Sequence, residues 1–457
     1  FEMIKFGTDG WRAVLDKDFT EENVRRVTLA IGKYVADNFG FDKQILIGYD
    51  PRRMADEYSL LCAEILKNKG FTVFYSARIV PTPILAYNAL IKNACAIMFT
   101  ASHNPPEYLG MKFIPDYAGP ATSEITDEIV ANLDKDYSAS EKSGVLHKID
   151  FAPKYNEHLE TLIDFSKFKN LKTNIIFDGL YSASIGYFDE ILKNKGIAFE
   201  HLHMFHDVNF GGGMPDPKPR FLKELIEKVK NTPNSIGLAN DGDADRFGVI
   251  NENGEYVSPN EIIAILLKHL KSRGVEGAVV KTVGSSLLID CVAQKLGVEV
   301  IETAVGFKHV GEAMRKNKVI IGGEESGGLS ILGHIPEKDG LVANLLILET
   351  MADTGKSLVE LQEELYKLAG AKFYTDRIDL KLDNQDEIKP ILEKVKEFKT
   401  IGEYKVTSMD TKDGVKLMLG DKTKILVRPS GTEPLLRIYF ETDGVEKLEV
   451  LKKSIEI

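Results

Sequence analysis

Short apolar runs alternate along this chain with longer segments whose apolar residues return at helical spacing. QILIGYD, TVFY and CAIMF are nearly unbroken apolar runs, as expected of strands covered on both faces, and MADEYSLLCAEILKNKG and PILAYNALIK carry the helical period between them. The same order returns twice. The second copy runs NIIFDG, a helix over SASIGYFDEILKNKG, IAFEHL, a helix over PRFLKELIEKVK, then SIGLA. The third runs GAVVKT, a helix over SSLLIDCVAQKLG, VEVIET, a helix over KHVGEAMRKN, then KVIIG. Each copy ends in a polar, glycine-containing loop: TASHNPPEYLGMK, NDGDADR and GEESGG. Alternating strands and helices predict α/β layers, and ligands of such sheets bind beyond the carboxyl ends of the strands, where these loops fall. After Gly370 the pattern changes. Strand-like AKFYTDRIDLKL, VKLMLG, TKILVRPSG and LLRIYFE outnumber the helices over EIKPILEKVKEF and GVEKLEVLKKSIEI, which predicts a C-terminal α+β domain. The expected domains are 1–150, 151–255, 256–370 and 371–457.

Composition narrows this picture. At 457 residues, 43% hydrophobic and 28% charged, the chain is an ordinary globular sequence too long for one core. No apolar run approaches the eighteen or so residues of a membrane span, and FEMIKFGTDGW lacks a basic segment followed by a long apolar one. A cytoplasmic protein with no membrane partner is expected. Cys62, Cys95 and Cys291 all sit in apolar settings without a CxxC pair, as buried free thiols do. The net charge of -11, with no basic arm, argues against a nucleic-acid partner.

The chemistry concentrates in the loops. Thr100–Lys112 follows a buried strand, and Pro105 and Pro106 stiffen it, so it can aim one hydroxyl at a ligand. Ser102 is the candidate nucleophile, with His103 and Lys112 as polarising neighbours; a structural turn is the competing reading. In Asp241-Gly242-Asp243-Ala244-Asp245-Arg246, alternate carboxylates can converge on one hard cation with positions left for a phosphate oxygen, which suits Mg²⁺. Calcium competes, but the loop does not complete an EF-hand, and a solvated acidic turn is the bland alternative. Gly323–Gly328 combines backbone freedom with the carboxylates of Glu324 and Glu325 and the hydroxyl of Ser326, a set that suits the diol hydroxyls of a sugar, and Lys308 can supply a charge at the same mouth, unless the loop is only a polar turn. Arg428, Ser430, Gly431 and Thr432 form a plausible anion nest, with Arg437 as a second clamp. Arg12, in Gly7-Thr8-Asp9-Gly10-Trp11-Arg12, is a further anion contact, and Trp11 is expected to anchor packing.

Taken together, TASHNPPEYLGMK, DGDADR, GEESGG and RPSGTEP resemble, in order and across essentially the whole chain, the phosphoserine, metal, sugar and phosphate loops of the α-D-phosphohexomutase superfamily. The resemblance implies three related α/β domains with mixed sheets and a C-terminal α+β domain, four domains around a central cleft. It implies that Ser102 is the phosphorylated residue and that Asp241, Asp243 and Asp245 bind Mg²⁺, with a phosphoserine oxygen in the shell. Glu324 and Ser326 would contact the sugar, and Arg428, Ser430, Gly431 and Thr432 the phosphate that is not reacting. Lys112 becomes a candidate for proton transfer, Arg12 and His103 for transition-state contacts, and Arg246 an additional active-site candidate.

Some positions depart from the superfamily's patterns. Leu109 stands where many relatives have asparagine. Gly328 replaces the histidine of GEMSGH- and GEQSGH-like loops, and Phe307 a histidine of some dual-specificity relatives. These departures weaken the phosphomannomutase and phosphoglucosamine mutase readings. The expectation is a phosphoglucomutase that interconverts glucose 1-phosphate and glucose 6-phosphate through glucose 1,6-bisphosphate, with a monomer favoured over a dimer. A phosphomannomutase or dual-specificity enzyme is the alternative. More distant readings are a phosphoglucosamine mutase, a metal-dependent sugar phosphatase and a non-catalytic sugar-phosphate-binding protein.

Overall fold

The computed structural model of the chain describes residues 4–7 and 9–457, so Thr8 of the Gly7–Arg12 segment lies outside the described residues. The first repeat comprises β1 (Trp11–Val14), α1 (Glu21–Phe39), β2 (Ile45–Tyr49), α2 (Ala55–Lys69), β3 (Thr72–Ser76), α3 (Thr82–Lys92), β4 (Cys95–Phe99), β5 (Tyr108–Ile114), α4 (Ser123–Ala131) and β6 (Val145–Ile149). Its sheet runs β1-β5-β4-β2-β3-β6. The strands β4, β2, β3 and β6 are parallel, while β5 turns back antiparallel to β4 and β1. The buried strands β2 and β4 carry the apolar runs read as two-faced strands, and Trp11 stacks on Phe19 at 4.5 Å inside that core, the packing role expected of it.

The second repeat comprises α5 (Ala152–Leu162), β7 (Asn174–Asp178), α6 (Phe188–Asn194), β8 (Glu200–Leu202), α7 (Lys223–Lys230), β9 (Ser235–Asn240), β10 (Phe247–Ile250) and β11 (Tyr256–Val257). Its sheet, β11-β10-β9-β7-β8, repeats the plan: parallel strands, then an antiparallel strand after the chemically rich loop. Two helices are shorter than the periodicity predicts. The stretch SASIGY forms turns before α6, because Gly186 takes a φ of 87° and Ser182 and Ser184 hydrogen-bond each other and the local backbone. Likewise Pro219–Phe221 is a separate 3₁₀ turn ahead of α7.

The third repeat comprises α8 (Pro259–Ser272), β12 (Ala278–Thr282), α9 (Leu287–Leu296), β13 (Val300–Thr303), α10 (Phe307–Lys316), β14 (Val319–Glu324), β15 (Gly328–Ile331), α11 (Gly340–Thr354) and α12 (Leu358–Ala369). Strand β12 lies parallel between β13 and β14. The C-terminal segment holds β16 (Tyr374–Lys381), α13 (Ile388–Lys396), β17 (Thr400–Ile401), β18 (Tyr404–Lys405), β19 (Ser408–Asp410), β20 (Val415–Met418), β21 (Thr423–Pro429), β22 (Leu435–Thr442) and α14 (Val445–Ser454). Its main sheet, β16-β22-β21-β20-β19, is antiparallel throughout, which is the α+β domain expected from the tail.

The chain forms two compact units. One contains residues up to Pro259 together with Ser326–Val359; the other contains Asn260–Glu325 and Glu360–Ile457. The third repeat therefore contributes to both. Helix α11 is buried on every side from Gly340 to Ala352, and it belongs to the first unit, where Asn344 Nδ2 donates to Asn240 Oδ1 at 3.1 Å. All three cysteines are free and buried, as their settings implied. Among the described residues, no helix is long and apolar enough to cross a membrane.

Candidate active site

Each repeat delivers its loop from a buried strand. Ser102 follows β4, Asp241 follows β9, and Glu325 follows β14. Ser102 is 2% exposed and takes a φ of 52°, a left-handed conformation that costs a residue with a Cβ about 1–2 kcal/mol. Its amide donates to Thr100 Oγ1 at 2.8 Å, and its hydroxyl donates to Asp241 Oδ2 at 2.7 Å. The two loops touch closely enough that a Cβ at Gly242 would stand 2.4 Å from the Ser102 carbonyl oxygen. Glycine at 242 is thus a requirement of the loop-to-loop approach.

The metal loop is held from several sides. The Ala244 amide donates to Asp241 O at 3.0 Å, and the Arg246 amide to Asp241 Oδ1 at 3.0 Å. Thr82 donates from both its amide (3.0 Å, to Asp243 O) and its hydroxyl (2.6 Å, to Asp243 Oδ2). Among the described residues, Asp241, Asp243 and Asp245 form the one group of three metal-ligating side chains, with one ligand atom from each within 4.8 Å of the others. All three are buried, and Asp243 Oδ1 and Asp245 Oδ1 have no hydrogen-bond partner. Burial, followed by repulsion from Asp245 and Asp243, pushes the Asp241 carboxyl well up; burial and Asp245 push Asp243 up to about 6. Burial also raises Asp245, but Lys338, Lys112 and Arg246 outweigh it and hold it below the ordinary carboxylate range. Three buried carboxylates, two with orphaned oxygens, fit a divalent cation of the Mg²⁺ type that takes oxygen ligands.

Cations surround this cluster. Lys112, on β5, is 3% exposed and pairs with the fully buried Glu337 at 2.8 Å. Burial pushes Lys112 down, but Glu337, Asp9 and Asp245 together raise it above its ordinary value, so it is an ammonium. Lys338 Nζ lies 3.4 Å from Asp245 Oδ2. Arg12, on β1, donates to Asn104 Oδ1 at 2.8 Å. Asp9 sits on the tight turn before β1, where Gly10 has a φ of 87° and a Cβ would meet Met111 O at 2.2 Å. Asp9 is exposed as a residue, but the protein packed around its carboxyl raises it; Lys338, Lys112, Arg12 and Arg246 outweigh this and bring it down to about 2. His103 is pushed down to about 3 by burial and by Arg246 and Arg12, so it is a neutral imidazole, and its buried Nδ1 has no partner.

The first unit thus gathers Ser102, His103, Lys112, Arg12, Arg246 and the three aspartates. It also holds Ser326, whose carbonyl accepts from Lys218 Nζ at 2.9 Å. The second unit gathers the other candidates. Glu324 closes β14 at 5% exposure, and Lys308 lies in the first turn of α10. The neighbouring Glu325 accepts from Thr282 Oγ1 (2.7 Å) and Ser285 Oγ (3.1 Å). Arg428 and Arg437 are register partners on β21 and β22. Arg428 Nε donates to Asp413 Oδ1 at 3.1 Å. Between the two arginines, Ser430 Oγ accepts from the Thr432 (3.4 Å) and Glu433 (3.3 Å) amides, and nothing stands within 4 Å of a Cβ built at Gly431.

Sequence reasoning missed Asp9, Glu337 and Lys338. Glu337 and Lys338 stand in IPEKDG, whose Asp339 accepts from the Leu341 and Val342 amides as the N-cap of α11. Two opposite charges next to the cap of an almost wholly apolar helix were the available signal.

Four family profiles match the chain in order: phosphoglucomutase/phosphomannomutase alpha/beta/alpha domain I over residues 3–140, domain II over 153–254, domain III over 258–369, and the C-terminal domain over 378–456. A phosphoglucomutase/phosphomannomutase of Thermococcus kodakarensis is 30% identical over 457 residues, 99% of this chain and 98% of its own. A phosphoglucosamine mutase of Caldanaerobacter subterraneus subsp. tengcongensis is 31% identical over 467 residues, 98% of this chain and 97% of its own. A solved phosphomannomutase-type structure from Thermus thermophilus superposes with a TM-score of 0.86 at 30% identity, covering 99% of this chain and 98% of the other. With that agreement end to end, and a buried aspartate cluster where the family's chemistry needs a cation, the chain belongs to the phosphoglucomutase/phosphomannomutase family, metal-assisted phosphohexomutases that isomerise sugar phosphates.

Proposed function

We propose that the protein is a phosphoglucomutase that carries a phosphoryl group on Ser102. The observation that carries this reading is the 2.7 Å contact between Ser102 Oγ and Asp241 Oδ2, which joins a strained, buried hydroxyl to the aspartate cluster. Phospho-Ser102 gives its phosphoryl group to a free hydroxyl of the hexose monophosphate. The P–Oγ bond breaks, a P–O bond to the sugar forms, and the sugar hydroxyl loses its proton. The product, glucose 1,6-bisphosphate, turns end for end, and its other phosphate returns to Ser102.

Asp241, Asp243 and Asp245 would hold Mg²⁺, which when bound neutralises charge between the serine and the phosphoryl group. Lys112, an ammonium, stabilises negative charge and can give a proton to the departing serine oxygen. The proton that the sugar hydroxyl loses restores the ammonium, and His103, held down to about 3, stays a neutral contact at the transition state. Arg12 and Arg246 add positive charge for the dianion. Arg428, Arg437 and the Ser430–Thr432 turn anchor the phosphate remote from the chemistry, and Glu324, Ser326 and Lys308 contact the sugar.

The preference for glucose rests on the sugar loop. Relatives with GEMSGH- or GEQSGH-like loops have histidine where this chain has Gly328. Here a Cβ at 328 would stand 2.3 Å from Lys338 Cδ, so the lysine that reaches Asp245 takes up that space. The names of the relatives keep mannose and glucosamine phosphates in view. The test is kcat/KM for 1-phosphate to 6-phosphate isomerisation of glucose, mannose and glucosamine phosphates, with Mg²⁺ and a trace of the matching bisphosphate. A glucose preference of about tenfold or more, near 1.4 kcal/mol, is expected, with turnover nearly abolished in Ser102→Ala. Equal rates would overturn the glucose assignment, and an active Ser102→Ala enzyme would overturn the carrier.

A further inference from the structure

Ser102 keeps a left-handed backbone without being glycine, so something must hold it there. Its amide is held through Thr100: Ser102 N donates to Thr100 Oγ1 (2.8 Å), and that hydroxyl donates to Asp50 Oδ2 (2.6 Å). Its carbonyl is held by Arg52. The Arg52 side chain is fully buried, just beyond β2, and both its terminal nitrogens point into the nucleophile loop. Nη2 donates to Ser102 O (2.8 Å) and Asn104 O (2.7 Å); Nη1 donates to Pro105 O (2.8 Å) and Tyr108 O (3.1 Å). Asp50 closes the frame, with Oδ1 accepting from the Arg52 amide at 2.9 Å and Oδ2 lying 3.3 Å from Nε.

A loop of the second repeat covers this guanidinium. The Phe210 ring lies over it at 5.2 Å and is 3% exposed. Three consecutive residues there, Phe210, Gly211 and Gly212, have φ of 47°, 65° and 86°. Asp207 holds the curl by accepting from the Asn209 (2.9 Å) and Gly211 (3.0 Å) amides. The glycine run in NFGGGMPDPK thereby has a physical purpose: it bends the chain so that an aromatic ring seals a buried cation from water.

We propose that Arg52 is a positioning residue for the nucleophile, with Phe210 as its seal; this rests on the reading of Ser102 as the phosphate carrier. The arrangement needs a planar fork. Four carbonyls bound by four terminal N–H groups cannot be matched by an ammonium, which has three donors at a single point. Because the Ser102 carbonyl also packs against Gly242, its position sets the spacing of serine and aspartates.

The experiment compares Arg52→Lys, Arg52→Ala, Phe210→Leu, Ser102→Ala and wild type in glucose-phosphate isomerisation, thermal melting, and transfer of phosphate from glucose 1,6-bisphosphate to Ser102, read by intact mass. Arg52→Lys is expected to lose about 100-fold in kcat with KM within about twofold, as misplacement of a reacting atom does. Phe210→Leu should lose about five- to tenfold in the same direction, because the leucine keeps bulk but not the ring face. Guanidinium chloride, and not sodium chloride at equal ionic strength, should restore part of the activity of Arg52→Ala. A wild-type kcat in Arg52→Lys would overturn the proposal. If that variant does not fold, Phe210→Leu decides: a lower kcat at unchanged KM supports the seal, and an unchanged kcat defeats it. An active Ser102→Ala enzyme would instead defeat the reading of Ser102, a failure distinguishable from that of Arg52.

Discussion

Lys112 carries a full charge where water does not reach it. An isolated ammonium in such a place would release its proton, but Glu337, 2.8 Å away and wholly buried, keeps it charged. The pair is therefore an electrostatic device more than a source of stability: its attraction is largely offset by the desolvation of both partners. Glu337→Gln keeps the shape and removes the charge. We expect kcat to fall about 10- to 100-fold, with melting lowered by the uncompensated ammonium, since removing one partner of a buried pair costs about 3–5 kcal/mol. The direction of the pH effect follows from the same contact. Without Glu337 the lysine releases its proton at lower pH, so the alkaline limb of the kcat profile should move toward neutrality. A Glu337→Gln profile that superposes on the wild type would remove Glu337 from the account of Lys112.

At the scale of elements, one plan places the chemistry. A parallel strand ends in a buried position, a short polar loop follows, and the chain turns into the next strand; Ser102, the aspartates and Glu325 all occupy that turn. Gly242 shows how tightly two such turns meet, because its missing Cβ leaves room for the Ser102 carbonyl. Gly242→Ala should push the loops apart. The overpacking costs about 1–3 kcal/mol, which a large folded chain survives, but the displacement lies between nucleophile and cation site. We expect about a 100-fold loss of kcat, with circular dichroism unchanged and melting only modestly lowered. Near-normal turnover would show that the two loops need not touch. These turns were readable from sequence because their side chains are neighbours in the chain: DGDADR brings three carboxylates together in one short loop, and the prolines of the serine loop announce its stiffness. The supporting residues were not. Glu337 stands 225 residues from Lys112, and Arg52 stands 50 from Ser102; each of these two supporting charges looks locally like a surface residue until the fold brings it to the loop that the sequence already singled out.

For the molecule as a whole, the repeated α/β layout and the different tail were legible because each repeat carries its own alternation of strand and helix. The division into two compact units was not. Helix α11 follows the third repeat's strands in sequence but joins the unit of the first two repeats, since a helix apolar nearly all round takes whichever core can bury it. Its start ties three segments together. Asp339, its N-cap, accepts from Tyr155 OH (2.7 Å) and pairs with His334 Nε2 (2.7 Å); His334 Nδ1 meets His158 Nε2 at 3.1 Å, and His158 stacks on Tyr87 at 4.2 Å. This linkage makes the stability of the first unit sensitive to acid. Burial, and then the nearby His334, push His158 down from 6.5 to about 4, with Asp339 pulling the other way. His103 is depressed in the same direction. In the unfolded chain both take up protons as the pH falls below their ordinary value, while the folded protein resists until about 4 for His158 and about 3 for His103. Their contribution to stability is therefore present in full above pH 6.5 and is lost on acidification, for His158 across the window from 6.5 to about 4. Unfolding at about pH 5 should take up protons, seen as a melting enthalpy that depends on the ionisation heat of the buffer. His158→Gln cannot titrate. It should melt somewhat below wild type at about pH 7.5, having lost the stack on Tyr87, but with a shallower fall between about pH 7 and 5. Parallel melting curves across that range would mean that His158 does not carry the acid sensitivity, and would leave His103 and the carboxylates to account for it.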